Sequence, residues 1–464
     1  MTRTSRRATS ASSQSASVAA LLSFLWPGLG QLYVGRPRAA IIYAAPILLV
    51  ALIVLAQAVG GIDILFVRLL SPTTAGFVAI VLVLTAVWRL LAISDAFLSA
   101  RGFANSPGSY ARRHGSTWHQ AGAKRTLAIL AVLVLLSHGL LIGAALGLGQ
   151  AGSRIFVGSH PPVGSALSSG SAPLPQETPY VTPETGGWIN VLLVGADSGT
   201  GYDHSLTDSM IVASFNQATG KAVMFSFPRD IARFPLYFGG TYDSKLNSLM
   251  TDVVAKPGEY PDGALGTLSR ELGFLLGVPI HYYAFIDLAG FSKLIDEVGG
   301  IEIDNPRAID DAGYQFDDGV VGFRLSAGPH HLDGRIGLAY VRSRKGVGDS
   351  DFSRARRQQQ VLVALRDKLT DPAMLSRVPA LLDLAPRIIQ TNYPVDDAPN
   401  LLALAKKVQG AAMEHIVLGP PYAERPTEPT STYMLVLQMS VLRRTSIRIF
   451  GSDSRYANEA SPAP

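Results

Sequence analysis

Three stretches of the chain are apolar over about twenty or more positions, and they constrain the fold more than any other feature. They cover residues 39–59, 74–98 and 126–149. A helix of about twenty apolar residues crosses the roughly 30 Å hydrocarbon core of a bilayer, so each stretch predicts a membrane-spanning helix. Hydrophobic residues make up 48% of the 464 positions, a high share for a wholly soluble protein. We expect a multi-pass membrane region followed by a polar domain.

Basic residues are distributed unevenly around these stretches. The loop at 99–125 contains five lysines and arginines, whereas the loop at 60–72 contains one. The positive-inside rule places the first loop in the cytoplasm, so the chain after residue 149 is expected outside it. A shorter apolar segment at 18–34, interrupted by Trp-Pro-Gly-Leu-Gly, either spans or re-enters the membrane without moving that domain. The net charge of +5 is explained by these flanking residues, and no nucleic-acid partner is expected.

Composition predicts five regions along the chain. They are a basic cytoplasmic N-terminus (1–17), a membrane region with three or four apolar segments (18–149), a Ser/Pro/Gly-rich tether (150–186), an extracytoplasmic catalytic domain (187–452) and a disordered tail (453–464). The chain contains no cysteine, which excludes disulfides, thiol catalysis and cysteine-ligated zinc. It also contains no Gly-x-Ser-x-Gly elbow, His-Glu-x-x-His helix or Walker loop.

The region after the tether alternates strand-like and helix-like segments. Apolar runs predict strands at 188–195, 209–215, 222–227 and 280–286. Helical periodicity predicts helices at 244–254, 262–276, 288–298, 334–340 and 352–369, with Gly277 and the Gly299-Gly300 pair as C-terminal stops. This order indicates an α/β domain in which a mixed β-sheet is sandwiched by α-helices.

Residues 340–360 contain six cationic side chains and two aspartates. If 352–369 is a helix, Arg354, Arg357 and Gln358 share the face that becomes apolar at Val361 and Leu365, so the arginines point inward. Unpaired backbone N–H groups, the helix dipole and guanidinium forks at a helix N-terminus all favour a phosphate group. The alternatives are a solvated charge run or a patch on anionic lipid headgroups.

Two carboxylates flank the ends of neighbouring predicted strands. Asp197 follows the first strand and Asp208 opens the second. Carboxylates placed in this way can share Mg²⁺, which prefers one or two carboxylates together with phosphate oxygens and water; the alternative is that both only cap turns. Arg229 ends a third strand and Lys245 opens a helix, positions typical of ligand sites in α/β folds.

In their order and spacing, several motifs resemble the LytR-CpsA-Psr family of membrane-anchored bacterial cell-wall enzymes. The motifs are Val-Gly-Ala-Asp-Ser, Thr-Asp-Ser-Met, Phe-Pro-Arg-Asp, Lys-Leu-Asn, His-Leu-Asp-Gly, Tyr-Val-Arg-Ser-Arg and Asp-Phe-Ser-Arg with Arg-Gln-Gln. The resemblance implies a membrane-anchored bacterial protein and a transferase of phosphorus-containing groups; with the three apolar stretches, this predicts a multi-pass protein of the bacterial plasma membrane. Glycan phosphate would pass from a polyprenyl-pyrophosphate carrier to a peptidoglycan hydroxyl, attaching secondary cell-wall or capsular polymer.

The resemblance also implies a role for each matching residue. Asp197 and Asp208 match the Mg²⁺ ligands, where Mn²⁺ is an alternative ion, and Asp351 matches the carboxylate that deprotonates the acceptor hydroxyl. The pyrophosphate-binding positions match Arg229, Arg342, Arg344, Arg354 and Gln358, with Lys245 and Arg357 in support. Phosphoryl transfer depends chiefly on such positioning and charge neutralisation. The sequence does not determine the oligomeric state.

The chain departs from the family pattern at two positions. Leu206 and Gly199 stand where many members have arginine, and His204 is a candidate substitute for the lost cation. Two alternatives therefore stay open beside transfer: hydrolysis of the polyprenyl pyrophosphate, and lipid-glycan binding by a regulator without catalysis.

Overall fold

The computed structural model describes residues 15–59, 61–104, 117–156, 183–196, 207–377, 380–381, 384–385, 388–408, 413–430 and 432–459. The chain divides into two compact units, Met1–Gln150 and Ala151–Pro464. Four positions singled out from the sequence, Asp197, Gly199, His204 and Leu206, lie outside the described residues, as do most of the N-terminus and the tether.

The first unit is helical. Its helices are α1 (Ala16–Leu25), α2 (Leu29–Tyr33), α3 (Pro37–Ala58), α4 (Ile62–Arg68), α5 (Pro72–Ala104) and α6 (Thr117–Ile155), the last of which ends in the second unit. Within the described part of the chain, three helices are long and apolar enough to cross a membrane, and they contain the three predicted stretches apart from residue 59. The chain therefore has the helices of a membrane anchor.

The interrupted segment at 18–34 forms the short helices α1 and α2. Gly28 joins them in the left-handed region, with φ of 106°. The ten residues of α1 rise about 15 Å, roughly half the hydrocarbon thickness, so α1 is too short to cross alone. Gln31 of α2 is fully buried; it accepts a hydrogen bond from Ser23 (2.9 Å) and donates to the Ala92 carbonyl (2.8 Å).

A six-stranded mixed sheet organises the second unit. Its strands are β1 (Trp188–Ala196), β2 (Thr207–Asn216), β3 (Ala222–Ser226), β6 (Tyr282–Asp287), β11 (Ile389–Thr391) and β12 (Met413–Val417), in the order β11-β6-β1-β2-β3-β12. Strands β1 and β2 are antiparallel, whereas β6 is parallel to β1 and β12 is parallel to β3. The predicted mixed sheet is confirmed.

Both faces of the sheet are covered by helices. Successive side chains of a strand point to opposite faces, so neighbouring residues join different cores. On one face, Leu192 and Val194 join a large core with helices α7 (Leu249–Ala255), α8 (Gly263–Leu276) and α13 (Met439–Phe450). On the other face, Leu193 and Ile211 meet helix α11 (Asp351–Leu369), and Val191 meets α12 (Ala398–Val408). The sandwich of helices around a sheet therefore follows the sequence prediction.

The remaining elements form hairpins and a second core. The hairpin strands are β4 (Ala232–Pro235) with β5 (Thr241–Lys245), β7 (Ile301–Asn305) with β10 (Gly328–Leu332), β8 (Ile309–Gln315) with β9 (Val321–Leu325), and β13 (Ala423–Glu424) with β14 (Val436–Leu437). Helices α9 (Leu288–Glu297) and α10 (Gly334–Arg342) pack with β7 and α11 around the buried Ile295, Tyr340 and Val361. Helix α11 thus contacts both cores and fixes the strands relative to the hairpins.

Three predicted boundaries are wrong. Residues 244–245 belong to strand β5, because they pair with β4; the helix follows only after a 3₁₀ turn at Leu246–Ser248. The first six residues of the predicted tether belong to helix α6, which continues to Ile155. The predicted disordered tail begins with an ordered turn and helix α14 (Arg455–Glu459), because the Tyr456 ring is buried and its hydroxyl donates to the Phe274 carbonyl (2.9 Å).

One buried carboxyl makes the stability of this unit depend on pH. Glu271 on α8 is fully buried; its Oε2 accepts from the Tyr237 amide (3.1 Å), and its Oε1 has no hydrogen-bond partner in the described structure. Burial raises the pKa of Glu271 from 4.5 to about 7. Because the folded state holds this proton more tightly than the unfolded state, the stabilisation is complete below pH 4.5 and is lost as the pH rises through about 7.

Replacing Glu271 by glutamine is expected to flatten this dependence. At pH 8 the variant should be more stable than the wild type by roughly 2–3 kcal/mol, because the amide carries no charge to bury. Thermal denaturation of the detergent-solubilised protein between pH 5 and pH 8 measures the difference. Glu259→Gln, at an exposed position, is the matched control. Parallel pH curves for Glu271→Gln and the wild type would contradict the assignment.

Candidate functional site

The first turn of α11 places the candidate residues of the cationic segment. Ser350 caps the helix: its hydroxyl accepts from the Ser353 amide (3.2 Å), while the Ser353 hydroxyl accepts from the Ser350 amide (2.7 Å). This capping box sets the helix phase that buries Arg354 and Arg357, which are 6% and 7% exposed. Arg356 faces solvent. The prediction that Arg354 and Arg357 point inward is confirmed, while their role as ligands stays a prediction.

A cleft of about 290 Å³ opens beside this turn. Five of the residues singled out from the sequence line it: Asp208, Arg342, Arg344, Arg354 and Gln358. These come from β2, the end of α10, the loop that follows it, and α11. The fold therefore brings together side chains that lie up to about 150 positions apart, most of them cationic.

Arg354 lies at the buried side of the cleft. One terminal nitrogen lies 3.2 Å from Asp351 Oδ1 and 3.4 Å from the Asp208 carbonyl, while its Nε has no hydrogen-bond partner among the described residues. Burial lowers the pKa of Arg354, and the charges of Asp351 and Asp208 act against that shift. A buried guanidinium with an unused donor is matched by an anionic ligand that accepts from it.

Asp351 opens α11 between two arginines of the cluster. Its Oδ1 lies 3.2 Å from Arg354 and 4.0 Å from Arg344. Its side chain is 26% exposed, although its Oδ1 is buried and Asp351 is not among the residues that line the cleft. A carboxylate at this position has the reach of a proton acceptor for a group held by the arginines.

Asp208 occupies an irregular position in β2. Gly195 pairs with Ser209 and Ala196 pairs with Thr207, so the register shifts at Asp208. A bulge of this kind re-aims a side chain at a strand end. The Asp208 carboxylate accepts a hydrogen bond from Arg229 at 2.6 Å and lines the cleft. The sequence places Asp208 at a strand start, but only the pairing shows the bulge.

Arg229 and Lys245 belong to a chain of ion pairs behind Asp208. Arg229 lies 3.8 Å from Asp230, and Lys245 donates to the same carboxylate at 2.6 Å. Asp230 is buried, so the three charges stabilise one another where the strand ends. Neither cation lines the cleft; Arg229 acts on it through Asp208.

Three consecutive glutamines of α11 have three different environments. Gln358 lines the cleft and accepts a hydrogen bond from Ser209 (3.1 Å). Gln359 is buried and donates to the Ser226 hydroxyl (2.8 Å), which ties the helix to β3. Gln360 accepts from the Tyr340 hydroxyl (2.8 Å), which ties it to α10. Only Gln358 is placed to contact a ligand.

The structure places Arg357 away from the cleft lining, and its predicted supporting role in pyrophosphate binding stays a prediction. Its Nε donates to the Tyr340 carbonyl (2.8 Å), one terminal nitrogen pairs with Asp349 (2.8 Å), and the other donates to the Ser343 carbonyl. The side chain does not line the cleft. Its guanidinium is fully engaged in holding the segment between α10 and α11, a use that the helical period cannot reveal.

Replacing Arg357 by methionine is therefore expected to lower the stability of the protein. Asp349 would be left buried without its partner, and breaking a buried pair costs about 3–5 kcal/mol. Chemical denaturation of the full chain in detergent measures the loss, with Arg356→Met on the exposed face of the same helix as control. If Arg357→Met matched that control in stability but lost affinity for a lipid diphosphate, Arg357 would be a ligand after all.

The residues for a magnesium ion are described only in part. Asp208 presents a carboxylate beside the arginines, whereas Asp197, the second predicted ligand, lies outside the described residues. Within the described ranges, no three histidine or carboxylate side chains gather closely enough to hold a metal by themselves. The one described carboxylate is compatible with an ion such as Mg²⁺, which takes one or two carboxylates and completes its shell with phosphate oxygens and water, and the magnesium site stays a prediction.

Sequence reasoning did not assign five polar residues of the cleft to the site. Ser209, Asp311, Tyr314, Gln315 and Lys345 line it together with the predicted residues. Ser209 directly follows Asp208, and Lys345 directly follows Arg344. Their position next to predicted site residues could have indicated them. Asp311 lies in the β8–β9 hairpin, far along the sequence from every motif, and no local pattern indicates it.

Comparison with known proteins finds a family match and related sequences for this chain. The sequence model described as the LytR_cpsA_psr family matches residues 168–457. The polyisoprenyl-teichoic acid–peptidoglycan teichoic acid transferase TagU of Oceanobacillus iheyensis is 29% identical over 214 residues, covering 46% of this chain and 62% of that protein. The regulatory protein MsrR of Staphylococcus aureus is 32% identical over 211 residues, covering 45% of this chain and 57% of that protein. The chain thus spans less than two thirds of the length of these relatives.

Solved structures resemble about 60% of the chain. The crystal structure of Bacillus subtilis TagV covers 60% of this chain and 99% of its own, with 24% identity and a TM-score of 0.45. TagT bound to LIIa-WTA covers 60% of this chain and 96% of its own, with 24% identity and a TM-score of 0.44.

Proposed function

The chain belongs to the LytR-CpsA-Psr family, and on that premise we propose that it is a membrane-anchored glycan phosphotransferase. It would move a glycan phosphate from a polyprenyl-pyrophosphate carrier to a hydroxyl of peptidoglycan. The observation that carries the proposal is Arg354, a buried guanidinium with an unused donor at a cleft that also holds Arg342 and Arg344. The name of the related protein TagU, a polyisoprenyl-teichoic acid–peptidoglycan teichoic acid transferase, supports the same reaction class.

The proposed step uses the cleft residues for charge and position. The acceptor hydroxyl oxygen attacks the glycan-side phosphorus, Asp351 takes the hydroxyl proton, and the bridging bond breaks so that polyprenyl monophosphate leaves with the electron pair. Arg342, Arg344 and Arg354 stabilise the charge on the diphosphate, and Gln358 hydrogen-bonds it. Asp208 and Asp197 would hold Mg²⁺, which would neutralise further charge on the diphosphate oxygens.

The predicted topology supplies both substrates on the same side of the membrane. The basic loop at 99–125 marks the cytoplasmic side, so the domain after α6 would lie outside, where peptidoglycan is built. A reporter fused after Pro464 that is active only in the cytoplasm would contradict this topology. That result would favour regulation by nucleic-acid binding instead.

Product analysis tests the reaction itself. The detergent-solubilised protein is incubated with Mg²⁺, a polyprenyl-pyrophosphoryl glycan and a peptidoglycan oligomer. We expect polyprenyl monophosphate and an oligomer that carries the glycan phosphate, with both products lost on chelation of the metal. Free glycan phosphate in solution would favour hydrolysis. Binding of the lipid without either product would favour a regulator, a role in line with the departures at Leu206 and Gly199.

A further inference from the structure

Asp311 of β8 is a buried carboxylate at the cleft that the family resemblance does not assign. It is 2% exposed and borders the cleft beside Arg342 and Arg344. Its Oδ2 accepts three hydrogen bonds, from the Ser343 hydroxyl (2.8 Å), the Arg344 amide (3.2 Å) and the Lys345 amide (3.1 Å). One carboxylate oxygen therefore holds the start of the loop that presents these two cations.

The rest of this loop is held independently of Asp311. Arg307 donates to the Val347 carbonyl (2.9 Å) and the Gly348 carbonyl (3.1 Å). Arg357 holds the Ser343 carbonyl and Asp349. Asp311 Oδ2 therefore holds the start of the loop at Arg344 and Lys345, while other residues hold its far end, and neither task uses Asp311 Oδ1.

The second oxygen of Asp311 is what requires an explanation. Oδ1 is buried and has no hydrogen-bond partner in the described structure. Leaving a buried charged acceptor unpaired costs more than leaving a neutral group, so such an atom is normally matched by a donor. A diphosphate supplies only acceptors, and its charge would be repelled by the carboxylate. The donor must come from a neutral part of the ligand.

We propose that Asp311 Oδ1 accepts a hydrogen bond from a hydroxyl or amide N–H of the sugar that adjoins the diphosphate, and so selects a glycan-bearing lipid. This inference rests on the proposed function. In this proposal the diphosphate is bound by Arg342, Arg344 and Arg354, and Asp311 accepts a hydrogen bond from the neutral sugar group next to it. Selection of this kind is strong because a ligand without the donor leaves the buried acceptor unpaired.

Two substitutions distinguish the role of Asp311 Oδ1 from that of Asp311 Oδ2. Asp311→Asn keeps an oxygen that can accept from the loop and puts an N–H₂ donor in place of Oδ1, whereas Asp311→Ala removes both. Asp310→Asn is the matched control, since Asp310 is the exposed neighbour and the change in charge is the same. The probes are geranylgeranyl diphosphate and geranylgeranyl-diphosphoryl-N-acetylglucosamine, whose dissociation constants are measured with the full-length protein in detergent.

The expected result is a change in the ratio of the two dissociation constants. Asp311→Asn should weaken binding of the sugar-bearing lipid by about tenfold relative to the sugarless one. Asp310→Asn should leave the ratio at the wild-type value, and Asp311→Ala should weaken both lipids because the loop is released. If the only effect of Asp311→Asn were the loss of a negative charge, the variant would bind both lipids more tightly, and the ratio of the two dissociation constants would not change.

The contradicting results distinguish the inference from the proposed function. An unchanged ratio in Asp311→Asn, with wild-type binding of both lipids intact, overturns the sugar contact and leaves the proposed function standing. Equal affinity of the wild type for the two lipids overturns it as well, without use of any variant. A wild-type protein that binds neither lipid overturns the proposed function, and the inference falls with it.

Discussion

Replacing Arg354 by alanine is expected to weaken binding of a polyprenyl pyrophosphate by about 100-fold or more. Arg354 is the most deeply buried cation of the cleft, and its unused Nε donor and its charge are both lost in the variant. Asp351 and Asp208 would then meet the diphosphate without the guanidinium that neutralises them. The measurement is the dissociation constant of the lipid for the full-length protein in detergent.

The matched control for this variant lies on the same helix. Arg356→Ala removes the same charge from the exposed face, so the affinity of Arg356→Ala should stay near the wild-type value. Arg354→Lys should recover only part of the affinity, since an ammonium cannot reproduce the planar fork of donors. Equal affinity in Arg354→Ala and Arg356→Ala would remove Arg354 from the site.

Replacing Asp351 by asparagine is expected to abolish turnover while leaving lipid binding largely intact. The amide has the shape of the carboxylate but cannot take the proton of the acceptor hydroxyl, and loss of a general base typically costs about 100-fold to 10,000-fold in rate. We expect kcat to fall by that amount and the dissociation constant of the lipid to stay within about threefold of the wild-type value.

The control for this second variant is Asp367→Asn, at an exposed position near the other end of the same helix. It should keep wild-type kcat. An Asp351→Asn protein with near-normal kcat would show that another group, or water, accepts the proton. A variant that lost binding and turnover together would instead assign Asp351 the task of orienting Arg344 and Arg354.

Helix α11 shows what a sequence can and cannot predict about such a site. Its 3.6-residue period is a local property, so the burial of Arg354 and Arg357 could be predicted. The use of each guanidinium depends on the chain that surrounds it. Arg357 meets the carbonyls of Tyr340 and Ser343, whereas Arg354 meets the cleft, and this difference is set by the packing of α10 against α11.

The strands give a similar result. Apolar runs predict β1, β2, β3 and β6, because these strands are buried on both faces and read as continuous hydrophobic segments. The hairpins of the second unit are half exposed and carry no such signal, so β8 and its Asp311 could not be found from sequence. The bulge at Asp208 arises from the pairing of β1 with β2, so the sequence of β2 by itself does not predict it.

The part of the site that rests on motif resemblance stays a prediction where the structure does not describe it. Asp197 is the second proposed Mg²⁺ ligand, and because it lies outside the described residues its role is supported by the motif resemblance alone. Removal of the metal is informative for this reason. Asp208→Asn should shift the Mg²⁺ concentration needed for half-maximal activity upward.

The most direct test of the central claim follows the phosphorus atom next to the glycan. A polyprenyl-pyrophosphoryl glycan with radioactive phosphorus at that position is incubated with the full-length protein, Mg²⁺ and a peptidoglycan oligomer. The account predicts that the label becomes covalently attached to peptidoglycan and that unlabelled polyprenyl monophosphate appears in equal amount. Label recovered in polyprenyl monophosphate, in free glycan phosphate or only in intact bound lipid would contradict it.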